Sequence, residues 1–142
     1  MQHPGEVDPR RFCKSLQSWE SRSSLAGFPR LAHEFTQGEL FCRVEGLLDV
    51  GGGWSVRLLV QGEVELVCQR CLGGMMQRIE IDHTLRLARN ANELERLDAE
   101  PDRDAILAGE LLDLVELLED EVLLSLPMVP MHLAGGCPPS GQ

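Results

Sequence analysis

Arg78-Ile79-Glu80-Ile81-Asp82-His83-Thr84-Leu85-Arg86-Leu87 is the stretch on which the fold turns. Ile79, Ile81, His83, Leu85 and Leu87 fall at every second position, with Arg78, Glu80, Asp82, Thr84 and Arg86 between them. Side chains of an extended chain point alternately to opposite faces, so this period predicts a strand with one face on a core and the other in water. Upstream, residues 40–48 and 54–60 are rich in Val, Leu, Phe and Trp and are separated by Gly51-Gly52-Gly53, while Gly62 divides the second run from residues 63–67. Three strands are expected there. Tight glycine turns favour an antiparallel meander over parallel crossovers, which need about a dozen residues each.

Helices flank this sheet. Asp8-Pro9 ahead of residues 10–16 predicts a short helix, because Asp caps a helix start and Pro is tolerated in its first turn. Residues 18–38, with Gly27, Pro29 and Gly38, read as an irregular or briefly helical connection. The polar stretch 90–104 reads as a long surface loop, with one helical turn at 93–97, that ends the sheet. Asp113 has Glu116 three positions on, and Leu111, Leu114, Val115, Leu118 and Val122 recur at helical spacing until Pro127. Residues 127–142 hold too many Pro and Gly for regular structure. The expectation is one α+β domain over 1–142. It comprises an antiparallel β-meander or partly open barrel-like sheet, a short N-terminal helix and one amphipathic acidic C-terminal helix.

The 142 residues, 43% of them apolar, suffice for one such core. No apolar run approaches the ~18 residues of a membrane span, and no signal-type apolar stretch follows the N-terminus, so a cytoplasmic protein is expected. The net charge of −10 is unevenly spread. Residues 1–92 are neutral overall, and residues 93–142 carry the whole excess. Nucleic-acid affinity rests largely on Lys and Arg neutralising phosphates, so this surface better suits a basic protein.

Cys68-Gln69-Arg70-Cys71 runs into Leu72-Gly73-Gly74, which puts both thiols on a turn. A redox pair needs its first Cys at a helix start, and none follows. A zinc site needs two further ligands, which His132 and Cys137 can supply; the alternative is a pair of ordinary reduced thiols with His132 a plain loop residue. Both readings stay open. Cys13 and Cys42 read as small buried apolar groups, His83 as a hydrogen-bonded core histidine and Gly51-Gly52-Gly53 as a hairpin turn. At about 100° per residue, Asp113, Glu116, Glu119 and Asp120 share one arc of the C-terminal helix, with Leu117 and Leu124 beside it. Glu116, Leu117, Glu119, Asp120 and Leu124 could dock a basic partner; alternatively, the N-terminal segment covers the leucines and the carboxylates are merely solvated. No nucleophile or acid–base constellation can be assembled, so an enzyme is not expected.

Two separated motifs resemble the YceD family, the large ribosomal RNA subunit accumulation proteins. The first is Val67-Cys68-Gln69-Arg70-Cys71-Leu72; the second runs from Asp113-Leu114-Val115-Glu116 through Glu119-Asp120-Glu121 to Leu126-Pro127, then Val129-Pro130-Met131-His132 and Cys137. The resemblance implies a role in keeping 23S rRNA at normal levels, hence in ribosome biogenesis, without catalysis. Taken with the charge map, it implies a basic ribosomal or ribosome-assembly protein as partner. The alternative is direct binding of large-subunit rRNA through the Cys68–Cys71 turn with Arg70 and Arg78.

Overall fold

The computed structural model describes residues 6–35, 37–68, 70–99 and 104–126. The strand at the centre of the sequence reading, β5 (Gly74–Ala88), pairs antiparallel with β4 (Trp54–Val67), and β4 in turn with β3 (Gly38–Leu48). Ile79, Leu85 and Leu87 are buried while Arg78, Glu80, Asp82 and Thr84 are exposed, as the alternation predicts. Arg86 is buried despite its odd phase. Its Nη2 donates to the Leu97 carbonyl of α3 (Ala91–Asp98), 2.9 Å away, which covers that end of the outer face.

Three expectations for the sheet are corrected. Residues 54–60 and 63–67 form one strand, because Gly62 continues the ladder. A Cβ there would lie 2.1 Å from the Glu39 carbonyl oxygen, so only glycine permits this approach of β3 to β4. Residues 18–38 contain the edge strand β2 (Ser18–Ser24), which pairs with β3, and then α2 (Pro29–Glu34). The segment 90–104 does not end the sheet. α3 crosses to β6 (Asp104–Leu107), which adds to β5 in parallel. The sheet order is β2-β3-β4-β5-β6, and β1 (Glu6–Val7) pairs separately with β7 (Leu112–Asp113).

Helices α1 (Pro9–Lys14), α2 and α4 (Leu114–Ser125) supply Phe12, Leu31, Leu114, Leu118 and Val122 to a core shared with Leu40, Val44, Val56, Leu58 and Val60 of the sheet. Asp8 caps α1, its Oδ1 accepting from the Arg10 and Arg11 amides, and Asp113 caps α4 by accepting from the Glu116 amide at 3.1 Å. The glycine hairpin between β3 and β4 has Gly52 at φ +84°. Cys13 and Cys42 are fully buried, and burial pushes the Cys42 thiol up to about 12. No helix among the described residues is long and apolar enough to cross a membrane.

Candidate partner-docking site

The acidic helix does not face solvent uniformly. Arg30 of α2 reaches across to it: the Arg30 amide donates to Glu119 Oε2 at 2.7 Å, Nε pairs with Glu119 Oε1 at 3.3 Å and Nη2 with Asp120 Oδ1 at 2.6 Å. Nη2 also donates to the Glu116 carbonyl, 3.1 Å away. Glu119 is only 4% exposed. It accepts from one of the orphan amides at the start of α2 and balances the adjoining guanidinium, so it holds two helices together rather than meeting a partner. The set open to a partner narrows to Glu116, Leu117, Asp120 and Leu124.

Leu117, Asp120 and Leu124 line a groove of about 570 Å³ between α4 and the β5–β6 edge. Ile106 and Leu123 add to its apolar wall, while Asp104 and Glu121 join Asp120 as its carboxylates. Leu124 is 82% exposed, a large apolar side chain turned outward beside these carboxylates. The N-terminal helix α1 packs on β3 and β4, the N-terminal strand β1 touches α4, and α2, through Arg30, engages the acidic arc.

His83 sits in the wall of this groove. Its Nδ1 lies 3.0 Å from both Glu121 carboxylate oxygens, and its Nε2 lies 2.6 Å from Asp104 Oδ2. Burial acts to lower the pKa of the ring, but hydrogen bonding and charge from Glu121 and Asp104 outweigh it and raise the pKa above the ordinary 6.5. The ring bridges β5 to α4 and β6. The two carboxylates hold different ring nitrogens, which is the geometry of a charged clasp. His83 is hydrogen-bonded as expected, with partners that local sequence did not suggest, but its side chain is 33% exposed in the groove wall and does not belong to the core. Glu121 lies four residues beyond Leu117 and three before Leu124, spacing that places it on their side of the helix; that was the available signal. Asp104 offers none, because it ends the polar stretch 90–104 that reads as a loop.

The cationic candidates are distributed differently. Arg57 makes a bidentate pair with Asp82 at 2.9 and 2.7 Å, Arg43 pairs with Glu20 and Glu45, and Arg89 pairs with Glu93 at 3.2 Å. Arg78 pairs with Glu80 at 2.8 Å, and Arg70 is exposed at the β4–β5 turn. In that turn the Cys68 amide donates to the Gly73 carbonyl at 2.9 Å and the Leu72 amide to the Cys68 carbonyl at 2.7 Å, with Leu72 at φ +59°. Cys68 is fully buried and Cys71 half-buried. His132 and Cys137 lie outside the described residues, and among the described residues no group of three His, Cys, Asp or Glu could hold a metal.

Residues 56–142 match the model of a family described as large ribosomal RNA subunit accumulation protein YceD. A protein of that description from Haemophilus influenzae is 34% identical over 83 residues, which cover 58% of this chain and 48% of the relative. The match therefore spans about half the length of that curated relative. No solved structure matches.

Proposed function

The chain belongs to the YceD family, and from that premise we propose that it supports accumulation of large-subunit (23S) rRNA in the cytoplasm as a non-enzymatic binding factor. Its action runs through a basic ribosomal or ribosome-assembly protein docked on α4, at Glu116, Leu117, Asp120 and Leu124. One observation carries this reading: exposed Leu124 stands at a groove whose charged groups include Asp104, Asp120 and Glu121. Apolar contact supplies affinity there, and the carboxylates select a cationic partner.

The test is complementation of cells lacking the protein, with 23S rRNA as the readout. Glu116→Lys with Leu124→Asp should lower 23S rRNA while the purified variant stays folded, because both side chains point away from the core. Arg70→Ala with Arg78→Ala should complement. The second reading, direct RNA contact, rests on exposed Arg70 at the turn, and it would be favoured if the two results were reversed.

We also propose that Cys68 and Cys71 form half of a structural zinc clasp completed by His132 and Cys137. Both thiols belong to one tight hairpin end, the arrangement from which a turn offers two ligands to one ion.

A further inference from the structure

The groove already holds a basic group of its own. His83 lies between Glu121 and Asp104, and the side chain of Asp104 is 69% exposed whereas that of Glu121 is 15% exposed. An incoming lysine or arginine thus finds one carboxylate open to it and the second just behind, both already engaged by the His83 ring. Resting on the reading that α4 docks a basic protein, we propose that the docked segment carries a lysine or arginine flanked by apolar side chains, and that its cation takes the place of protonated His83 between Asp104 and Glu121. The apolar neighbours pack on Ile106, Leu117 and Leu123.

Two charges of the same sign cannot share these carboxylates at close range without repulsion, so His83 gives up its proton to solvent as the partner's cation arrives. The ring's raised pKa depends on the very groups that the partner engages. Other charged groups around His83 leave this balance in place. Asp120 of α4 is paired with Arg30, and Asp82 on the outer face of β5 is paired with Arg57. Asp49, Asp82 and Arg86 line an adjoining hollow that shares His83 and Asp104 with the groove, and Arg86 is itself held against α3. Docking is therefore linked to one proton, and it tightens as pH rises.

The experiment is calorimetric titration of the full chain with a synthetic peptide of leucine and lysine at helical spacing, from pH 6 to pH 9. Buffers of different ionisation enthalpy report proton release directly. A leucine–glutamine peptide serves as the neutral control. The expected result is saturable binding by the lysine peptide alone, with affinity rising by about three- to tenfold per pH unit while His83 is protonated, and with a proton released. His83→Gln should bind at pH 6 about as tightly as the unmodified protein binds at pH 9, without pH dependence. Asp104→Asn, at an exposed position, should weaken binding more at pH 9 than at pH 6. Saturable binding that is independent of pH, or without proton release, would overturn the displacement of His83 while leaving the basic partner in place. No binding of the lysine peptide at any pH would overturn the partner reading itself.

Discussion

Glu116 and Glu119 stand three residues apart on α4 and do different work. Glu119 is buried under Arg30 and accepts from its amide, whereas Glu116 contributes to that contact only through its backbone carbonyl. Removing the Glu119 carboxylate strands the Arg30 amide and takes one partner from the guanidinium, which keeps Asp120 and the Glu116 carbonyl. Glu119→Ala is expected to destabilise the protein by about 1–3 kcal/mol, and Glu116→Ala by less than about 0.5 kcal/mol, in urea denaturation followed by circular dichroism. His83 yields a second prediction. Its folded-state pKa is raised above the ordinary value of 6.5, so its stabilising effect is fully present below that value and is lost as pH rises through the raised pKa. The stability difference between the unmodified protein and His83→Gln should be largest near pH 6 and should shrink towards pH 9. At this scale the sequence was legible in part. The capping roles of Asp8 and Asp113 and the buried cysteines are local or compositional features, and they stand as read. The pairing of Arg30 with Glu119 joins residues 89 positions apart, and no pattern within either segment announces it.

Periodicity reveals an element only when burial forces it. β5 and α4 bury one face each, and their patterns were plain. β2 has a single large apolar residue, Trp19, among its seven, since an edge strand needs few core contacts and is held to β3 by its ladder and by Glu20 pairing with Arg43. β6 is four residues long and follows a polar crossover, so neither its existence nor its parallel sense could be read from alternation. Gly62 misled in the other direction. Glycine commonly ends a strand, but here it permits two strands to approach. Gly62→Ala would set a methyl group 2.1 Å from the Glu39 carbonyl oxygen, while a Cβ at Gly51 meets nothing within 4 Å. The melting temperature of Gly62→Ala should fall by several degrees, about 1–3 kcal/mol of overpacking, and that of Gly51→Ala should stay close to the unmodified protein.

Over the whole molecule, charge and topology converge on one end of the sheet. The acidic excess of residues 93–142 takes its described form in α3, β6 and α4, and the last two form the groove with β5. The opposite end of β4 and β5 carries the cysteine turn. If zinc joins that turn to His132 and Cys137, protein purified without chelator should hold about one equivalent of zinc, and EDTA should lower its melting temperature. Cys71→Ser should lose both the metal and the EDTA effect; a metal-free protein indifferent to EDTA would remove the clasp. Docking at the groove end is tested by photo-crosslinking in cells from a benzoylphenylalanine placed at Leu124, with the product identified by mass spectrometry. The expected product is a crosslink to a basic protein of the large ribosomal subunit or its assembly machinery, suppressed by Glu116→Lys. A crosslink to rRNA from that position, or a protein adduct insensitive to Glu116→Lys, would contradict it.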